Sequence, residues 1–168
     1  MYVMLDVVLA DTGKSRITAV NIFNPCIRQI KCIENEYDYQ EVYKRDLLEA
    51  EKEIVISSPA ISGPQVYELI NLLRDKQTSG VRITIVTWEP DSYEYGDTVY
   101  WMSLHEEMRQ AGFYIKTVED SCEHFAIIDR ELVWYGNMNL LAKGKLEDSM
   151  MRVNGKQIAS ELLELTFG

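Results

Sequence analysis

From residue 39 onward the chain alternates between two hydrophobic periods, and that alternation restricts its fold more than any other feature. Tyr39 to Lys52 reads as a helix, Ile54 to Ser57 as a buried strand, and Gln65 to Gln77 as a helix with Val66, Leu69, Ile70 and Leu73 along one face. Gly80 punctuates the chain before the β-branched run Val81 to Thr87; Asp97 to Ala111 follows as a third helix, which Gly112 stops ahead of a strand over Phe113 to Val118. A further strand is expected over Ser149 to Val153, and a closing helix over Lys156 to Phe167 with Ile158, Leu162 and Leu165 in line. Strands separated by helices of roughly ten to fifteen residues imply βαβ units, hence an α/β fold whose sheet carries helices on both faces.

Upstream of this pattern, Tyr2 to Leu9 and Ile17 to Phe23 are strand-like around the turn residues Asp11-Thr12-Gly13-Lys14, so residues 1–35 read as an N-terminal β-hairpin extension. Gly13-Lys14-Ser15 has the ending of a phosphate-binding loop, but Val8 stands where its first glycine belongs, and the hairpin turn is the preferred reading.

With 168 residues and 46% apolar content the chain is long enough for one well-cored domain. No apolar run approaches the ~20 residues of a membrane-spanning helix, and Met1 to Ala10 lacks the basic start and small-residue cleavage site of a secretory signal. Cys26, Cys32 and Cys122 are odd in number and match neither a zinc knuckle nor a redox pair. A reducing, cytoplasmic location without disulfides, cofactor or metal is therefore expected. The formal charge of −10 opposes any general attraction to nucleic acid or anionic lipid, so a phosphate site would have to be local.

Residues 122 to 139 carry the chemistry. A strand bearing Cys122 and His124 at i and i+2 would turn both toward one face, Asp129 closes a turn into a second strand over Leu132 to Tyr135, and Gly136 ends it beside Asn137 and Asn139. Aligned on Asp129, Gly136 and Asn139, this segment resembles the signature of the phospholipase D superfamily: His, any residue, Lys, four residues, Asp, then Gly-Ser-any-Asn. Cys122 falls at the nucleophilic histidine, His124 at the lysine and Asn137 at the serine.

The resemblance implies a single phospholipase D-like repeat over residues 36–168, a mixed β-sheet flanked by helices. It also implies a phosphodiester site completed only by a second copy, because the family's chemistry needs two motifs facing each other across a two-fold axis and this chain holds one. Asp129 and Gly136 take structural positions in the motif. His124, Asn137 and Asn139 take phosphate-holding positions, and Cys122, His124 and Asp148 take catalytic ones, Asp148 standing about where the family places an acid that orients its histidine.

The substitutions weigh against turnover. A thiolate attacks phosphorus only if a neighbouring charge lowers its pKa, and cysteine is also a small, commonly buried residue, so filler is preferred over nucleophile for Cys122. His124 reads equally as a weak phosphate donor and as a half-buried ring bonded to a carboxylate such as Asp148. Two Cys122–His124 pairs across an axis would make a Cys2His2 set, but the i, i+2 spacing is not a zinc spacing. His105 lies on the Trp101, Leu104, Met108 stripe and reads as core, Ser57 and Ser58 either line a pocket or cap the next segment, and Glu89 to Asp97 reads as a solvated loop carrying Tyr93 and Tyr95.

The expected function is a phospholipase D-like domain of a nucleic-acid-processing system, of the kind attached to helicases or restriction systems. In that reading it is a catalytically degenerate phosphate-binding, nucleic-acid-binding or dimerising module with a homodimer or system partner and no membrane. An active phosphodiesterase or nuclease homodimer using Cys122 and His124 in altered roles, and a protein-interaction module with no ligand at the motif, stand as alternatives.

Overall fold

The computed structural model describes residues 29–32, 36–93, 97–119, 122–143 and 148–168; the expected hairpin over Tyr2 to Phe23, Gly13-Lys14-Ser15, Tyr95 and Cys26 lie outside them. The order of elements is β1 (Gln29–Cys32), α1 (Glu36–Glu49), β2 (Glu53–Ser57), α2 (Gly63–Thr78), β3 (Arg82–Trp88), a 3-10 turn (Pro90–Ser92), α3 (Thr98–Gln110), β4 (Tyr114–Val118), β5 (His124–Ile128), β6 (Leu132–Gly136), β7 (Met150–Asn154) and α4 (Lys156–Phe167). The described strands form one seven-stranded mixed sheet in the order β1-β7-β6-β5-β2-β3-β4. The β2–β3 and β3–β4 pairs are parallel and the other four antiparallel. β1 falls within the stretch read as an N-terminal extension, yet it pairs with β7 as a strand of this sheet.

β2 is central and buried at every position. Its side chains alternate: Ile54 and Ile56 join the larger core beneath α1, α2 and α3, while Val55 faces the smaller core that α4 covers with Ala159, Ile158 and Leu162. The sheet thus carries helices on both faces. α2 begins with Pro64 in its first turn, where the missing N–H costs nothing, and buries Val66, Leu69 and Leu73 at helical spacing. Asp97 caps α3 by accepting from the Val99 N–H at 2.9 Å, and Gly112, at φ 84, ends the segment as only glycine does without strain. His105 is buried in α3, as expected, 1% exposed beside Leu104 and Met108.

The β5–β6 hairpin turns through Asp129 and Arg130, both with positive φ (53 and 57). Among the described residues no helix is long and apolar enough to cross a membrane.

Candidate phosphodiester site

Parallel β2, β3 and β4 end where antiparallel β5 begins, where β6 ends and where β7 begins, so one end of the sheet gathers Ser57, Cys122, His124, Asn137, Asn139 and Asp148. The opposite end holds Asp129. From His124 to Asp129 the strand runs about 17 Å at ordinary strand rise, too far for both to touch one phosphate. Asp129 instead accepts the backbone N–H groups of Glu51 (2.9 Å), Lys52 (2.7 Å) and Glu53 (2.9 Å), fastening the hairpin to the turn before β2. Burial pushes its carboxyl up, but the three donors outweigh it and hold the group below its ordinary value. Next to it, the buried Glu53 carboxylate sits between Arg82 (2.5 Å) and Arg130, which together overcome its desolvation and lower its pKa.

Gly136 is equally structural. A Cβ there would lie 2.0 Å from the Ser149 carbonyl oxygen, so only glycine lets β7 approach β6 at this point. The Asn137 side chain then accepts from the Ser149 N–H at 2.7 Å, and its own backbone N–H donates to the Ser149 carbonyl at 3.2 Å.

Cys122 and His124 do not share a face, contrary to the expectation from their spacing. β5 begins only at His124, whose alternation with Ala126 and Ile128 sets it on the side of the larger core; Cys122 lies in the preceding coil and packs against the α4-side cluster with Phe125 and Val86. The Cys122 thiol is 3.3 Å from the Ser57 hydroxyl. The Ser57 hydroxyl also donates to the Glu123 carbonyl at 2.5 Å. Burial raises the thiol's pKa, the Ser57 contact works against the rise, and the Glu123 carboxylate adds to it; the net direction is upward. That is the reverse of what activates a nucleophilic cysteine.

Asn139 is half-buried, and its side-chain oxygen accepts from the Ala60 N–H at 3.1 Å. The sheet register aligns His124 with Gly136 and Gly136 with Met150, so Asp148 lies two residues before the row containing His124. Neither Ser57 nor Ser58 caps a helix: Ser62 occupies the N-cap of α2, and Ser58 bonds to Ala60 and Leu141. Tyr93, expected in a solvated loop, is instead anchored. Its hydroxyl pairs with that of Thr87 (3.0 Å) and donates to the Pro59 carbonyl (3.2 Å), its ring stacks on Trp101 at 4.4 Å, and burial pushes its pKa up to about 12. An alternating apolar pattern does not reveal a loop tyrosine folded back over a sheet end. The segments leaving this end carry Glu89, Asp91, Asp97, Glu119, Glu123 and Asp148, and among their described residues the one lysine or arginine is Lys143.

The fold recurs in known structures. The chain is similar to Nuc from Salmonella typhimurium, a phospholipase D family member, with TM-score 0.56 and 18% identity over 74% of this chain and 82% of that one. It is also similar to NucT from Helicobacter pylori, with TM-score 0.58 and 10% identity over 77% and 85%. TrmBL2, an archaeal chromatin protein described with a novel mode of DNA binding, gives TM-score 0.54 and 13% identity over 80% of this chain but 48% of that one. No curated protein matches the chain. The family profile described as cardiolipin synthase, PLD-like domain, matches residues 43–165, from α1 to the last turn of α4, and the chain belongs to that phospholipase D-like family.

Proposed function

We propose that this chain is a phospholipase D-like module of a cytoplasmic nucleic-acid-processing system in which phosphodiester cleavage has lapsed, leaving an anion-binding and dimerising scaffold. The observation that carries this reading is the placement of Cys122: the residue that aligns with the family's nucleophile is a thiol held against Ser57, with a raised pKa, and it packs on the α4 side of the sheet. His124 at the lysine position offers a shorter and weaker cation. Cooperating catalytic groups lose most of their rate when one member is removed, and here two have changed. Asn137 and Asn139 remain at the same sheet end as neutral amide donors.

The acidic segments around this end favour a second reading, a protein-interaction module with no ligand at the motif, because those carboxylates repel a phosphate backbone. Hydrolysis of bis(p-nitrophenyl) phosphate, titration with inorganic phosphate and with a short oligonucleotide, and light scattering separate these readings. We expect no hydrolysis above the background of a Cys122→Ala variant, a dimer in solution, and phosphate-dependent changes at Asn139. Hydrolysis abolished by Cys122→Ala in a folded protein would overturn the first reading in favour of a working phosphodiesterase. Silence of Asn139 toward both anions would favour the second.

A further inference from the structure

Ser58 is not part of the signature segment, yet it is fully buried and stands at the junction of the two loops that hold Asn139. Its hydroxyl donates to the Ala60 carbonyl at 2.8 Å and accepts from the Leu141 N–H at 3.1 Å. One hydroxyl therefore binds the segment after β2 to the segment after Asn139. The same two segments are joined by Ser62 N–H to the Leu141 carbonyl at 2.7 Å and by a parallel bridge between Ile61 and Leu141. From the other side the Ser58 N–H donates to the Val86 carbonyl at 2.9 Å, and the Thr87 hydroxyl donates to the Pro59 carbonyl at 3.0 Å, so β3 fixes where Ala60 lies.

The consequence falls on the Asn139 amide. A backbone N–H can be accepted only by the amide oxygen, so the 3.1 Å bond from Ala60 sets the flip of the side chain and turns Nδ2 the other way. Among the described residues Nδ2 has no hydrogen-bond partner, and it is left as the donor the site presents. We propose that Ser58 is the positioning residue of this site: by stapling the 58–62 and 139–141 loops together it holds Ala60 against Asn139 and so fixes Nδ2 as the group offered to an anion. The orientation stands on these bonds; its use for an anion rests on the proposed function.

Proton–nitrogen NMR correlation spectra of the full chain test it, with the Asn139 side-chain NH2 pair identified by its loss in Asn139→Ala and inorganic phosphate as the probe. In the wild type we expect the Ala60 amide to report a bonded proton and phosphate to move the Asn139 pair. Ser58→Ala should shift both the Ala60 amide and the Asn139 pair and weaken phosphate by about three- to tenfold, the loss typical of one mispositioned hydrogen bond. A preserved cooperative melt would show that the fold survives. Ser58→Cys, close in size and able to bond weakly, should return part of the wild-type spectrum and affinity, and it serves as the reporting variant if Ser58→Ala does not fold. Unchanged Ala60 and Asn139 resonances in a folded Ser58→Ala or Ser58→Cys variant would overturn the positioning role. If those resonances respond to Ser58 but phosphate moves nothing in the wild type, the positioning role stands and the anion-binding reading is the one refuted.

Discussion

Removing the Asp129 carboxylate would leave three consecutive backbone N–H groups without their acceptor, and alanine would in addition be strained at φ 53. Asp129→Ala should cost about 2–4 kcal/mol by urea denaturation. Asparagine at this position would keep one acceptor and tolerate the backbone, so Asp129→Asn should cost clearly less. Because the folded-state pKa lies below the ordinary 3.8, this carboxylate's contribution is complete above that value and is lost as pH falls through the lowered one. Asp129→Asn should therefore flatten the acid limb below about pH 4, leaving the part due to Glu53, which shifts in the same direction. The turn at Asp129 was legible in sequence, whereas its three donors before β2 and the approach of Ser149 to Gly136 lie on other segments and carry no local signal. The direction of Cys122 was not legible either, since a two-residue period holds only inside a strand and β5 starts two residues later.

At the scale of elements, α1 is joined to the sheet by a buried charge. Asp46, 1% exposed, accepts from Arg152 at 2.6 and 3.0 Å and from the Trp134 indole N–H at 3.0 Å, linking α1 to β6 and β7. Asp46→Ala should destabilise the protein by about 3–5 kcal/mol in equilibrium unfolding, because Arg152 would be stranded with little water. Replacing Asp46 and Arg152 together by apolar residues should recover much of that loss. α3 contributes pH dependence through His105, whose pKa is pushed down to about 4, first by burial and second by Arg109 one turn away. The unfolded chain binds this proton more readily, so folding weakens as pH falls from about 6.5 toward 4. His105→Leu should lessen the difference between urea midpoints measured at about pH 7 and about pH 5. The helices and strands from α2 to α4 were readable to within two residues, since their apolar spacing is strong. β1 was not, because Gln29–Cys32 alternates over only four residues, too short a run to mark a strand before it pairs with β7.

For the whole molecule, the charge of −10 and the acidic segments around the site predict the salt response of any anion bound there. Lysine- and arginine-based phosphate sites weaken as salt rises. Here neutral amides would bind against a repulsive field, so phosphate affinity measured by titration should hold or strengthen as sodium chloride rises from about 20 to about 300 mM, over which screening shortens from about 20 to about 6 Å. A steep loss would reveal a cationic site instead. The α/β architecture was legible from the alternation of periods, whereas the loop-to-loop bonding of Ser58, Ala60 and Asn139 depends on segments about eighty residues apart and has no local sequence signal.

That separation has its largest expression in the pairing of β1 with β7, register Gln29 to Asn154. During synthesis β1 leaves the ribosome before the other described strands, and its partner is made more than a hundred residues later, several seconds at ordinary elongation rates. Through that interval β1 lacks the one partner it has among the described strands and is open to wrong pairings or chaperone capture, so this pair of the sheet closes late.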